Sequence, residues 1–148
     1  MFRVQIAVLV LISVLLSGCG KTNGDVAGKV KKDGVLIHIA SGPDSPHRVL
    51  MALQMAARMS EDKPVAVYLD IDAVRLFVKG ASDMEMEPFP SAFTQLSVLS
   101  GKGVPIMACP GCLAVAGISP DSLMQGVSVA DKATFFDFAD GRIVTLDY

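Results

Sequence analysis

No hydrophobic run in this sequence is long enough to be a permanent membrane span. The stretch Val4–Leu16 covers 13 residues and is interrupted by Gln5 and Ser13, against the roughly 20 that a spanning helix needs. An excess of one charge is lacking too. The chain carries 13 Lys and Arg against 15 Asp and Glu, a formal net charge of -2. Without a basic stripe to neutralise phosphates, a nucleic-acid-binding domain is excluded. Gly-x-x-x-x-Gly-Lys, Gly-x-Ser-x-Gly and Gly-x-Gly-x-x-Gly do not occur, so P-loop, hydrolase-elbow and dinucleotide readings fall away. Internal repeats and low-complexity segments are absent. Cysteine and histidine are scarce, three and two residues respectively, so thiol or imidazole chemistry rests on very few side chains. What is abundant is apolar: 51% of the 148 residues are hydrophobic. A single domain of this size buries roughly two-thirds of its unfolded surface without needing a metal or a disulfide.

The N-terminus reads as an export signal. Arg3 supplies the charged end, Val4–Leu16 the apolar centre, and Leu16-Ser17-Gly18-Cys19 a small-residue cleavage site. That last tetrapeptide resembles the lipobox of bacterial lipoproteins. The resemblance implies a signal peptide over residues 1–18, acylation of Cys19, and a mature chain held to a membrane by lipid. Gly20 follows, with no Asp to resemble an inner-membrane retention signal, which points to the outer membrane, facing the periplasm. Residues 19–34 then form the lipidated cysteine and a tether; Gly20–Gly34 is rich in Gly and Lys, has no apolar period, and holds four Lys and two Asp. The remainder, residues 35–148, is one globular domain with 8 basic and 13 acidic side chains.

Within that domain Val35–Ala40 is a continuous apolar run, as expected of a strand buried on both faces of a parallel sheet. Ser45-Pro46 then starts a helix whose Val49, Leu50, Leu53, Ala56 and Ala57 share one face up to Met59. Pro64–Asp70 is a second buried strand, and Ile71–Lys79 a short helix stopped by Gly80. Ala81–Pro90 is a loop alternating Met and Glu, suited to covering a site. A helix over Ser91–Ser100, a strand over Val104–Ala108, a short helix to Ala116 and a new start at Ser119-Pro120 follow. Val127–Val129 and Arg142–Asp147 read as strands, with a helix over Lys132–Ala139 between them. Strands alternating with helices imply right-handed crossovers, hence a three-layer αβα domain on a mostly parallel sheet of about five strands. Chemistry in such sheets collects beyond the carboxyl ends of the strands, where Ser41-Gly42-Pro43, Asp70 and Cys109 would lie.

With Cys19 committed to lipid, Cys109 and Cys112 remain, in Ala108-Cys109-Pro110-Gly111-Cys112 at a strand–helix junction. Free backbone N–H groups there favour a thiolate, and a thiolate attacks sulfur or binds soft metals. The spacing lets one sulfur resolve an adduct on the other. Three readings stay open on these residues: reactive sulfur chemistry with Cys109 and Cys112 as catalytic pair, a structural disulfide, or a soft-metal site completed by His47. His38, mid-strand, reads as a core histidine bonded to its surroundings. Asp70 and Asp72 read as helix caps before an acid/base pair, and Met84, Met86 and Met107 as packing residues before copper ligands.

These residues resemble the DsrE-like sulfur-relay proteins. The resemblance runs from about Val35 to Tyr148. It is carried by the first strand with Ser41-Gly42, Val65-Ala66-Val67-Tyr68 with Val74-Arg75-Leu76, Gly101-Lys102-Gly103-Val104, Ala108-Cys109, Gly117-Ile118, and Gly126-Val127 through Ala130 to Phe136. It implies a parallel α/β fold, homo- or hetero-oligomers, and Cys109 as a cysteine that carries persulfide sulfur between donor and acceptor proteins, with no cofactor. The expectation for the whole chain is thus a membrane-anchored thiol protein that carries sulfur or exchanges disulfides. The alternatives are a lipoprotein binding a soft metal or small ligand, and an interaction subunit braced by a disulfide. Two features depart from the family pattern: export into an oxidising compartment, and the second cysteine, Cys112.

Overall fold

The computed structural model describes residues 32–148. The expected export signal, Cys19 as the expected lipidation site and nearly all of the expected tether lie outside the described residues. Among the described residues no helix is long and apolar enough to cross a membrane.

Five strands form one sheet: β1 (Gly34–Ile39), β2 (Val65–Leu69), β3 (Ile106–Ala108), β4 (Val127–Val129) and β5 (Ile143–Asp147). Their order is β4-β3-β2-β1-β5, and every pairing is parallel. From β1 to β4 the chain steps one strand at a time in one direction, and its two longer helices, α1 (Pro46–Met59) and α2 (Ala92–Gly101), pack together on one face. From β4 it returns across the sheet to β5. Right-handed connection in both directions puts that return on the opposite face, where Phe135 and Phe138 pack on Leu36, Ala66 and Met107.

The strands alternate accordingly. Val35, Ile37 and Ile39 of β1 and Val65, Val67 and Leu69 of β2 join Val49, Leu50, Leu53 and Ala56 of α1 in the main core. Leu36, Ala66 and Tyr68 turn the other way. Each fully buried Leu, Ile or Val contributes about 1.5–3 kcal/mol of hydrophobic stabilisation, and both faces of β1 and β2 are covered, which is why these strands read as unbroken apolar runs. A third, smaller cluster of Val74, Ala108, Leu113 and Leu123 seats the helix α3 (Pro110–Ala116) at the carboxyl end of β3. Gly117 ends α3 with φ 67, a left-handed conformation that glycine adopts without steric cost.

One expected helix is not formed and another is cut short. Over 131–139 the backbone makes successive turns, Thr134 N–H to Asp131 C=O, Asp137 to Thr134 and Ala139 to Phe136. The Asp131 carboxylate accepts from Ala133 N–H at 2.6 Å, a local bond that competes with helix, while Phe135 and Phe138 are drawn onto the sheet. Over 71–79 only Ile71–Arg75 is helical, as a 3₁₀ turn. Beyond it Phe77 is 1% exposed in the main core, and Lys79 N–H bonds Ser122 C=O at 2.7 Å in place of a helical partner.

Candidate functional site

The parallel register builds the site. His38 of β1 stands level with Tyr68 of β2 on one side and Asp147 of β5 on the other. Tyr68 is level with Met107 of β3, and Cys109 follows two residues later, its N–H still bonded to Leu69 C=O at 2.8 Å. The period of two therefore brings His38, Tyr68, Asp147 and Cys109 to one face at the carboxyl ends of four strands.

Cys109 is the N-cap of α3, with φ -63 and ψ 119, and Pro110 holds the first helical position, where its missing N–H costs nothing. This turn aims backbone N–H groups back at the sulfur: Cys112 N lies 3.4 Å from Cys109 Sγ. Both cysteines are half-buried and free. Burial pushes the Cys109 thiol up, but hydrogen bonds from the Tyr68 hydroxyl, the Cys112 thiol and the Cys112 and Gly111 backbone outweigh it, so that the Cys109 pKa is lowered from its ordinary value. Cys112 moves the other way: its thiol is held protonated as a donor to Cys109, against a weaker pull from the Ile71 N–H. The same turn thus favours ionisation of one sulfur and disfavours it at its neighbour.

Ile71 reaches Cys112 because of its backbone. It has φ 47, in the left-handed region, and its side chain is 61% exposed. For a β-branched residue this is a strained conformation worth about 1–3 kcal/mol. The loop is also pressed close to Ser41-Gly42: a Cβ on Gly42 would lie 2.7 Å from Asp72 Cβ, so only glycine fits there.

His38 sits between two carboxylates. Its Nδ1 is 2.7 Å from Asp147 Oδ1, and its Nε2 is 3.0 Å from Asp70 Oδ2, the second contact lacking hydrogen-bond alignment. Burial alone would lower the His38 pKa, but Asp147 and Asp70 together raise it above its usual value. Only the imidazolium offers an N–H to both sides. Because the folded-state value is the raised one, the stabilisation is full below about 6.5 and is lost as pH climbs through the folded-state value. His38→Asn should therefore lower the thermal midpoint at acidic pH and converge on wild type at alkaline pH; a gap that does not change with pH would disprove the coupling. Beside His38 an open cleft of about 660 Å³ is lined by Ser41, Arg48, Met51, Asp147 and Tyr148.

Of the residues singled out from sequence, Cys109, Cys112 and Asp70 come together. Asp70 occupies the N-cap of the 3₁₀ turn but makes no side-chain cap bond; its carboxylate serves His38 instead. His38 is half-buried between carboxylates rather than in the core. His47 is exposed and packs on Phe89, with ring centroids 5.6 Å apart. Among the described residues no three His, Cys, Asp or Glu side chains gather as a metal site, so His47 is not assembled with the cysteines. Tyr68 and Ile71 were not legible as site residues. A tyrosine near the end of an apolar strand was the available signal for the first, and a backbone angle leaves none for the second.

The DsrE/DsrF-like family model matches residues 33–143. The fold resembles the crystal structure of YchN protein from E. coli, with a TM-score of 0.62 and 20% identity over 78% of this chain and 99% of that one. It also resembles MTH1491, a protein of unknown function from Methanobacterium thermoautotrophicum, with a TM-score of 0.55 and 19% identity over 78% of this chain and 98% of that one. No curated protein sequence matches the chain.

Proposed function

Because the chain belongs to the DsrE/DsrF-like family, we propose that it is a sulfur carrier in which Cys109 holds a persulfide and Cys112 is the resolving thiol. The observation that carries this reading is the turn after β3, where Cys109 caps α3 and Cys112 N lies 3.4 Å from its sulfur, surroundings that lower the Cys109 pKa and raise that of Cys112. In loading, the Cys109 thiolate attacks the outer sulfur of a donor such as thiosulfate; a Cys109 S–S bond forms, the donor S–S bond breaks, and sulfite leaves with the electron pair. In unloading, an acceptor thiolate takes the outer sulfur and Cys109 leaves as thiolate. Without an acceptor, Cys112 attacks Cys109 Sγ, releasing hydrosulfide and closing a disulfide that a reductant must reopen.

The carrier works at a membrane surface in this proposal. Lipid on Cys19 anchors it to the outer membrane facing the periplasm, the tether gives the domain reach, and the domain meets donor and acceptor proteins as a homo-oligomer. Thiol-disulfide exchange by the same pair is the second reading, favoured by the Cys-Pro-Gly-Cys spacing.

The test is peptide mapping of the reduced full chain in detergent after exposure to polysulfide, or to thiosulfate with a sulfurtransferase. The Cys109 peptide should gain the mass of one sulfur atom. A Cys109–Cys112 disulfide formed with no sulfur adduct at any time would overturn the carrier reading in favour of thiol exchange.

A further inference from the structure

Tyr68 is held by ring contacts on two sides. Its ring stacks on His38 with centroids 5.8 Å apart and 29° between planes, and meets Phe135 edge-on at 5.0 Å and 79°. Phe135 is itself backed by Phe136 at 4.9 Å. His38 is in turn fixed by Asp147 and Asp70. The register then places Tyr68 on the same face as Cys109 and one strand away, at the carboxyl end of the sheet, where the hydroxyl and the sulfur act on each other electrostatically. The groups that act on this hydroxyl and sulfur are Cys112 from α3 and Asp70 from the loop after β2, while His38 of β1 lies on the ring with Asp147 of β5 behind it.

We propose that Tyr68 is a catalytic residue of sulfur transfer, its hydroxyl donating to Cys109 Sγ both when that sulfur attacks and when it leaves, with His38 as the positioning residue that aims it. This rests on the carrier reading of Cys109. In loading, the hydrogen bond raises the fraction of thiolate at neutral pH. Once the outer sulfur is attached, Cys109 Sγ is no longer anionic and the bond weakens. In unloading, the electron pair of the breaking S–S bond returns to Sγ, and the hydroxyl stabilises the departing thiolate. Burial and the neighbouring Cys109 push the Tyr68 phenol far above its ordinary value, so it stays a donor throughout. A lower thiol pKa makes a better leaving group and an intrinsically weaker nucleophile. The hydroxyl therefore favours release over capture once Cys109 is fully ionised.

The test compares the full chain with its Tyr68→Phe variant, which keeps the ring and its stacking. With Cys112→Ser present in both, iodoacetamide labelling of the Cys109 peptide across pH reads the thiolate directly. The midpoint should move up by about one pH unit in Tyr68→Phe, about tenfold less thiolate at neutral pH. At alkaline pH sulfur loading from thiosulfate should be undiminished while transfer to an acceptor thiol slows, a split that mere loosening of the fold does not produce. Replacing Tyr68 by 3-fluorotyrosine, a stronger donor of the same shape, should move the midpoint down and so covers the case in which Tyr68→Phe does not fold. An unmoved midpoint in a chain that loads sulfur overturns the role of Tyr68 alone. A wild-type chain that takes up no sulfur overturns the carrier reading and this inference together.

Discussion

Cys109→Ser should take up no sulfur from thiosulfate or polysulfide, whereas Cys112→Ser should take up as much as wild type and keep it longer. The opposite effects follow from the geometry of one turn. Serine at 109 keeps the N-cap and can still accept from Cys112 N–H, so α3 is expected to survive, but a hydroxyl is not ionised at neutral pH and cannot attack sulfane sulfur. Serine at 112 preserves a donor hydroxyl next to Cys109 while removing the thiol that would attack the adduct and release hydrosulfide. The persulfide then disappears only by transfer to an external thiol. Mass spectrometry of the 109–112 peptide over time reads both variants. Equal loading in all three proteins would remove Cys109 from the chemistry, and an adduct that lasts no longer in Cys112→Ser than in wild type would remove Cys112.

Phe77→Ala should cost about 3–5 kcal/mol of stability, a large share of the roughly 5–15 kcal/mol that holds a domain together. Phe77 is 1% exposed and lies in the main core with Phe93, ring centroids 6.4 Å apart. Its carbonyl accepts from Met124 N–H at 2.9 Å, joining the chain after the 3₁₀ turn to the segment that leads into β4. Removing the ring leaves a cavity in the core next to Ala73 and Leu76 of the segment that follows Asp70 and Ile71 in the chain, so the loss should extend to the site: faster local exchange of the Ile71 amide and weaker protection of Cys112. Denaturant unfolding measures the first effect and hydrogen exchange the second. A loss below about 1 kcal/mol would mean that the site can collapse around the missing ring.

The sequence carried the sheet and most of its elements because those depend on local patterns. Val35–Ala40 and Pro64–Asp70 are unbroken apolar runs, and strands covered on both faces have no polar side to alternate with. Ser45-Pro46 and Ser91 announced α1 and α2 through composition at the helix start, and Gly117 announced the end of α3. Cys109 was legible because a strand ends immediately before it and Pro110 begins a helix immediately after. The failures share a cause. Lys132–Ala139 and Ile71–Lys79 have helical spacing of apolar residues, yet in each case the aromatic side chains find better burial in a turn, Phe135 and Phe138 on the sheet and Phe77 in the core. Local propensity of a few tenths of a kcal/mol per residue yields to burial of a ring worth several times more.

By itself, then, the amino-acid sequence determined the parallel α/β frame, the strand end at which Cys109 stands and the thiol spacing to Cys112, all of them matters of neighbours in the chain. The tertiary structure alone decided what surrounds the sulfur. His38 meets Asp147 across 109 residues, Tyr68 reaches Cys109 across a strand pairing, and Ile71 turns its N–H to Cys112 from a strained loop pressed against Gly42. None of these contacts has a sequence period, because strand register and loop packing set them, and it is such surroundings that move a thiol's pKa away from its ordinary value.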